Sequence, residues 1–152
     1  MGDVVDVMMD LCRGYNPDQF EVYKSRNRVI TIRMAVNEVV EAKTLVTEGV
    51  SVRLVLNKSI GFSSSTDLTK TGIKRVVSNA HKIARSKRPD PDFKTLPEPQ
   101  KATPLEKGYD KELLDLTLDG AVDYGAGTLR TCRDMGPQID LSGSINVVSE
   151  EC

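Results

Sequence analysis

The sequence predicts an α+β fold in which an antiparallel β-meander is covered on one face by two helices. Two observations carry this prediction. Apolar residues recur at helical spacing near the N-terminus and again after Asp67, whereas from Phe20 to Ser64 they alternate every second residue. The connections inside the alternating region are very short, which antiparallel strands allow, and one face of these strands is mostly apolar.

The first helix is predicted in the segment DVVDVMMDLCRG, which Asp3 can cap and Gly14 can end. Its apolar stripe comprises Val4, Val5, Met8, Leu11 and Cys12. Cys12 is therefore expected in the core rather than at a reactive site.

The alternating region is predicted to contain several short strands, with breaks at Asn37–Glu38, Gly49 and Asn57–Lys58. After the first break, one face is expected to carry Val40, Ala42, Thr44 and Val46. After Gly49, the apolar positions are Val50, Val52, Leu54 and Leu56. Arg53 then lies on the polar face.

A second helix is predicted after Thr69, its candidate cap. Its apolar stripe comprises Ile73, Val76, Val77, Ala80, Ile83 and Ala84. The opposite side is strongly basic and also carries His81, the single histidine of the chain. The order helix, meander, helix is typical of an α+β domain whose helices cover one side of the sheet.

Five prolines between Pro89 and Pro104 predict an irregular segment and a domain boundary. We expect an N-terminal α+β domain over 1–88, a proline-rich linker over 89–108, and the start of a second region over 109–152. That last region holds one weaker helix, in LTLDGAVDYGAGTLRTC, and one candidate strand, in QIDLSGSINVV. About forty residues are too few for a separate core, so we expect the chain to be part of a longer protein.

Composition and charge exclude several classes of protein. A net charge of -1 gives no general attraction to nucleic acid or to an anionic membrane, and no apolar run approaches the length of a transmembrane helix. The N-terminus lacks a signal-peptide pattern, which predicts a cytoplasmic protein. The three cysteines, Cys12, Cys132 and Cys152, are too widely spaced for a zinc ribbon and too few for a disulfide framework.

Candidate catalytic residues are scarce. Zinc hydrolases need three protein ligands, and a Ser-His-Asp system would have to use His81, near which the sequence places no nucleophile. The hydroxyl run from Ser63 to Thr66 can hold an anion, but it also suits a strand-to-helix connection that satisfies free N–H groups. Gly125 and Gly127 lack the third glycine of a dinucleotide-binding motif.

Three segments in this order resemble the N-terminal domain of the TldD/PmbA family, known as modulators of DNA gyrase. They are FEVYKSRNRVITIRMAVNEV, EGVSVRLVLNKSIGFSSSTDL and NAHKIARSKRPDPDFKTLPEP, and the resemblance covers residues 3–100. Gly49, Gly61 and Phe62 are the family-signature positions within the second segment. The later YDKELLDLTLDGAV also resembles the family's entry into its middle region. Asn37 and Asn57 depart from the pattern, since relatives often place glycine there, but asparagine tolerates the same turn conformation.

The resemblance implies a cytoplasmic metallopeptidase that cuts unfolded or peptide-like substrates and assembles with a TldD/PmbA-type partner subunit as a homo- or hetero-oligomer. Active members carry H-E-x-x-x-H in a C-terminal half, a motif that this chain lacks. Zinc is therefore implied for the active full-length protein, and no cofactor is expected in this chain. The resemblance leaves open whether the subunit is of the active TldD type or the inactive PmbA type.

Two hypotheses follow. The first is a non-catalytic N-terminal domain that shapes the substrate cavity or the subunit interface, with Arg53 and Glu48 as candidate contacts. For Arg53 we favour the alternative of an ordinary cross-strand pair with an acid such as Glu48 or Glu41. An exposed strand edge can also accept an extended peptide. The second hypothesis is a stand-alone binding or assembly module without a peptidase role. Nucleic-acid binding through the basic helix is a weaker third option, because the helix lacks interleaved aromatic residues.

Overall fold

The computed structural model describes residues 3–98, 108 and 110–152. In these ranges the chain forms four helices and four strands. They are α1 (Val4–Gly14), β1 (Gln19–Ala35), β2 (Glu38–Leu56), β3 (Ser59–Ser65), α2 (Lys70–Ser86), α3 (Lys111–Asp115), α4 (Leu118–Met135) and β4 (Gly143–Glu151). The strands form one open antiparallel sheet in the order β3-β2-β1-β4. The predicted α+β class is confirmed.

The strands are longer than the alternation predicted. Gly49 lies inside β2 instead of interrupting it, so that Glu38–Leu56 forms one strand. Backbone hydrogen bonding continues a strand through polar residues, where side-chain alternation gives no signal. Strand length was therefore underestimated. The turn after Leu56 was placed correctly, and the turn after Ala35 was predicted one residue too late, at Asn37–Glu38.

One predicted strand face was also wrong. Val40, Ala42, Thr44 and Val46 are all exposed, and Val39 instead packs against the core of its region. Val39 and Val40 are adjacent in β2 and point to opposite faces, so the sequence allows either face to turn towards a core. Only the elements that pack on the sheet decide which of the two valines contacts the core.

Contacts divide the chain into two compact units. The first unit comprises the described residues within 1–26 and 48–101, with Cys152, and the second comprises 27–47 and the described residues within 102–151. This division differs from the predicted one, because residues 27–47 group with the C-terminal residues rather than with the rest of 1–88. The cause is that β4, far along the chain, pairs with β1 in the sheet. Sequence periodicity does not reveal such long-range pairing.

The core of the first unit lies between its strands and helices α1 and α2. Its buried members are Met8, Cys12, Val50, Val52, Leu54, Ile73, Val76, Val77 and Ala80. Both predicted caps are confirmed: an Asp3 side-chain oxygen accepts from the Val5 N–H, and the Thr69 hydroxyl accepts from the Gly72 N–H at 3.1 Å. A capped amphipathic helix at each end of the meander therefore gives this unit its core.

The described start of the predicted linker packs on the first unit. The Gln19 side chain donates to the Thr95 hydroxyl at 2.7 Å and accepts from the Leu96 N–H at 2.8 Å. Leu96 is only 7% exposed. Residues 99–107 of the predicted linker lie outside the described residues.

The second unit has its own small core. Ile30 and Ile32 pack with Ala121 of α4, joined by Val39, Leu116, Leu118, Val122, Ile145 and Val147. The helix and strand predicted near the C-terminus are both present, as α4 and β4. They cover the end of the β1–β2 hairpin, which would otherwise expose these isoleucines.

The β1–β2 turn is strained at one residue. Val36 and Asn37 have φ values of 49° and 64°, as Asn57 and Lys58 have φ of 48° and 63° in the β2–β3 turn. Two-residue hairpin turns favour this geometry, but a β-branched residue adopts it only at a cost. The Val36 side chain is 69% exposed and so gains little from burial.

We therefore expect Val36→Asn to stabilise the protein by about 1 kcal/mol, since asparagine tolerates a positive φ that valine does not. The measurement is the thermal midpoint, which should rise by a few degrees. Val40→Asn is the control: Val40 is similarly exposed but has no positive φ, so its midpoint should stay level or fall. Equal changes in both variants would show that the turn is unstrained.

Candidate binding surface

The first unit presents one sheet face away from its helices. Because Phe20, Val50, Val52 and Leu54 face the core, the intervening residues of the same strands point to the other side. We call this other side the open face; it comprises Glu21, Tyr23, Ser25, Ser51, Arg53, Phe62 and Ser64. The β2–β3 register places Arg53 directly opposite Phe62, and Ser51 opposite Ser64.

The two charged residues predicted as contacts lie in separate ion pairs. Arg53 pairs with Glu21 at 3.6 Å, and Glu48 pairs with Lys24 at 3.2 Å. Arg53 therefore pairs across the strands as expected, but its partner is Glu21 of β1 and not Glu48 or Glu41. The Arg53 and Glu21 side chains are 41% and 43% exposed, so their attraction is screened by water and worth at most about 1 kcal/mol. Such a pair can exchange partners when a ligand binds.

Glu41 belongs to a different cluster, in the second unit. It pairs with Arg33 at 3.3 Å and with Lys43 at 3.0 Å. The hydrogen bond from Lys43, followed by the positive charges of Lys43 and Arg33, lowers the pKa of the Glu41 carboxyl. Glu41 therefore has its own cations and does not serve Arg53.

A shallow pocket of about 320 Å³ lies in the first unit, where β3 ends. Six of its eight lining residues carry a hydroxyl, namely Tyr23, Ser25, Ser51, Ser64, Ser65 and Thr66, and Gly49 and Val50 complete it. Hydroxyls both donate and accept hydrogen bonds, which suits the alternating N–H and C=O groups of an extended peptide. Phe62, 52% exposed on the open face, adds an apolar surface.

The hydroxyl-rich connection into α2 is a hydrogen-bonded turn. The Ser65 hydroxyl accepts from the Asp67 N–H at 2.9 Å, and one Asp67 carboxylate oxygen accepts from both the N–H and the hydroxyl of Thr69. These hydrogen bonds from Thr69, with a smaller contribution from the charge of Arg75, lower the pKa of Asp67. The structure thus supports the interpretation of this segment as a strand-to-helix connection.

Gly61 is required by a close approach of two backbones. A Cβ atom at this position would overlap the carbonyl oxygen of Ala80 and would lie 2.6 Å from the Ala84 nitrogen, both in α2. Gly49 is less constrained, since its Cβ would lie 3.3 Å from the Ser65 carbonyl oxygen. The geometry gives Gly61 a packing role between β3 and α2.

The residues present do not fit the zinc that the resemblance implies. Among the described residues, no group of three or more His, Cys, Asp or Glu side chains is arranged to hold a metal ion. His81 instead stacks on Tyr15, with ring centroids 4.4 Å apart. Cys12 is buried, and this burial raises the pKa of its thiol to about 11.

Sequence reasoning missed three members of the open face, namely Glu21, Tyr23 and Ser25. Their alternation along β1 was visible, but the β1–β2 register that brings Glu21 to Arg53 was not. Tyr23 is 44% exposed, and an exposed aromatic residue within a strand was the available signal. Within the described ranges, no helix is long and apolar enough to cross a membrane.

Comparison with known proteins identifies one domain of the chain. Residues 20–84, which include the open face and most of α2, match the family model PmbA/TldA metallopeptidase domain 1. These residues form a TldD/PmbA-type N-terminal domain. All five residues predicted as contacts or signature positions lie within the matched range. No curated protein sequence matches the chain significantly.

Solved structures share the fold of this TldD/PmbA-type chain. TldE from Thermococcus kodakarensis is 20% identical with a TM-score of 0.81, and a putative modulator of DNA gyrase from Bacteroides thetaiotaomicron VPI-5482 is 14% identical with a TM-score of 0.80. A similar protein from Thermotoga maritima MSB8 is 11% identical with a TM-score of 0.71. Each match covers 97% of this chain and 34% of the other. The TldD/PmbA-type chain thus spans about a third of the length of these proteins, and at such identities the likeness shows the fold.

Proposed function

We propose that this chain is the non-catalytic N-terminal domain of a TldD/PmbA-type cytoplasmic metallopeptidase that acts on unfolded or peptide-like substrates. The open face would shape the substrate cavity or the interface with a partner subunit. Zinc and the hydrolytic residues would belong to other parts of the active enzyme. The observation that carries this proposal is the match of residues 20–84 to domain 1 of a metallopeptidase family.

The chemistry of the open face supports a role in peptide contact. The hydroxyl-lined pocket supplies neutral hydrogen-bonding groups, and the exposed ring of Phe62 supplies a flat apolar surface. Arg53 can leave Glu21 for a substrate carboxylate at little cost, because both side chains are already hydrated. Extended peptides need such alternating polar and apolar contacts.

A stand-alone binding or assembly module remains the second candidate. Nine of the thirteen exposed large hydrophobic residues in the described ranges lie in the second unit: Val36, Val40, Leu45, Val46, Leu113, Leu114, Tyr124, Met135 and Val148. Exposed apolar surface of this kind is typical of protein–protein contacts. This observation favours an assembly role without requiring a peptidase.

The test uses the 152-residue chain and reduced, carboxymethylated α-lactalbumin as an unfolded probe. We expect the probe to shift the amide resonances of Ser51, Arg53 and Phe62. Arg53→Ala should weaken binding about threefold to tenfold, the loss of one charged hydrogen bond, while changing stability by less than about 1 kcal/mol. The matched control is Arg33→Ala, which breaks a comparable exposed ion pair outside the open face.

Two results would overturn the proposal. One is hydrolysis of the probe, with zinc added, that follows the purified chain through gel filtration. The other is binding that Arg53→Ala and Arg33→Ala weaken equally, or no binding to the open face at all. The first result would show a catalytic role for this chain. The second would show that the open face makes no specific contact with a peptide.

A further inference from the structure

A second pocket, of about 480 Å³, lies in the first unit beside the β2–β3 turn and the C-terminal end of α2. Its polar lining comes from Asn57, Ser59, His81, Arg85 and Lys87. No carboxylate lines it, although the chain as a whole carries 22 acidic and 21 basic residues. The pocket shares no lining residue with the hydroxyl-lined pocket of the open face. We propose that it binds a small molecule through a phosphate group.

The two cations of this pocket are available to a ligand. Within the described part of the chain, neither Arg85 nor Lys87 forms an ion pair, whereas Arg75 on the same helix is paired with Asp67 at 3.1 Å. The guanidinium group matches two oxygens of a phosphate at once, and the ammonium group adds a point charge. The side-chain amide of Asn57 supplies a further neutral donor at the pocket wall.

The wall that carries Lys87 is fixed before any ligand arrives. Ser59 is only 4% exposed, and its hydroxyl donates to the Lys87 carbonyl at 3.1 Å. The Lys87 N–H donates to the Ile83 carbonyl at 3.1 Å, and the Asp90 N–H donates to the Lys58 carbonyl at the same distance. These bonds tie the segment after α2 to the β2–β3 turn. A binding site with prearranged walls loses less entropy when it captures a ligand.

His81 is similarly held, because its ring stacks on Tyr15. The remaining walls are apolar and come from Leu56, Ala84 and Pro89. A phosphate group on the cations would leave room for an attached apolar group against these walls. The composition therefore suits a phosphate ester better than a free inorganic ion.

Nearby acids do not occupy the cations. An Asp18 carboxylate oxygen accepts from the Asn57 N–H at 2.6 Å, and an Asp90 carboxylate oxygen accepts from the Asp92 N–H at 2.9 Å. Arg85 and Lys87 also lie at the C-terminal end of α2, where positive charge offsets the partial negative charge of the helix. Amide shifts that saturate as phosphate is added would distinguish a phosphate site from this purely structural role at the helix end.

The test is an amide-resonance titration of the whole 152-residue chain with three probes: inorganic phosphate, phenyl phosphate and acetate. We expect saturable shifts at Asn57, Ser59 and Lys87 with both phosphates, tighter binding of phenyl phosphate, and at least tenfold weaker binding of acetate. The double variant Arg85→Gln/Lys87→Gln should weaken phosphate binding at least tenfold. Arg85→Lys keeps the charge but loses the forked guanidinium donor. Its phosphate affinity should therefore lie between that of the unchanged chain and that of the double variant.

The matched control is Lys70→Gln/Lys74→Gln, which removes the same charge from the other end of α2. Lys74 and Arg85 are separated by about 16 Å along the axis of α2, which is about twice the screening length at physiological salt. This control should change phosphate affinity less than twofold. Equal weakening by both double variants, absence of saturation, or equal affinity for acetate and phosphate would overturn the proposal, whatever the outcome for peptide binding at the open face.

Discussion

Gly61→Ala should destabilise the protein by about 3 kcal/mol. The added Cβ would overlap the Ala80 carbonyl oxygen and crowd the Ala84 nitrogen. Both are backbone atoms of a hydrogen-bonded helix, so they cannot move aside as a flexible side chain can. Strand β3 would have to separate from α2, opening the core around Val77.

The measurement is the midpoint of urea unfolding, compared with that of Gly14→Ala. Gly14 ends α1, has no positive φ, and its added Cβ would meet no atom within 4 Å. That control should be neutral or stabilise by up to about 1 kcal/mol, since alanine favours the helix. Near-native stability of Gly61→Ala would show that β3 and α2 are not packed backbone to backbone.

Asn37→Ala should cost about 3 kcal/mol in the second unit. The Asn37 side chain donates to the Ile139 carbonyl at 2.9 Å and to an Asp140 carboxylate oxygen at 3.0 Å, and it accepts from the Leu141 N–H at 2.8 Å. Its own N–H donates to the Leu141 carbonyl at 3.1 Å. Alanine would lose all three side-chain bonds and would also resist the φ of 64°.

Hydrogen exchange of the Leu141 amide is the measurement, because it reports opening of this contact even if the rest of the chain stays folded. Asn37→Gly should cost about 2 kcal/mol, since glycine tolerates the turn but cannot make the side-chain bonds. The control is Asn57→Gly. Asn57 has a φ of 48°, but its side chain makes no hydrogen bond to any described residue, so the change should stay within about 0.5 kcal/mol. Equal effects at both asparagines would show that the turn conformation, and not the contact, is what Asn37 supplies.

The two asparagines show what a local pattern can and cannot predict. Both were correctly predicted at tight turns, where left-handed backbone suits asparagine. Nothing in the local sequence distinguished them, yet one anchors residues 139–141 and the other does not. The difference depends on a contact about a hundred residues away along the chain.

The candidate site shows the same division. The polar position of Arg53 and the helix caps follow from alternation and residue type, whereas the packing role of Gly61 depends on the approach of α2 to β3. The Glu21 partner of Arg53, and the pocket at the C-terminal end of α2, depend on strand register and on the approach of helix to turn. Two strands can slide by two residues without disturbing either pattern, so register is not written in one strand alone.

By itself, the sequence determined the α+β class, the two capped helices of the first unit, the turns and the resemblance to the TldD/PmbA N-terminal domain. These depend on residues close together in the chain, whose spacing imposes periodicity and whose short side chains satisfy local N–H groups. Only the tertiary structure decided that residues 27–47 belong with α4 and β4, that Val39 and not Val40 packs against a core, and which cations stay unpaired. Those outcomes depend on which distant surfaces cover one another, because burial removes apolar area from water only where a partner surface is present.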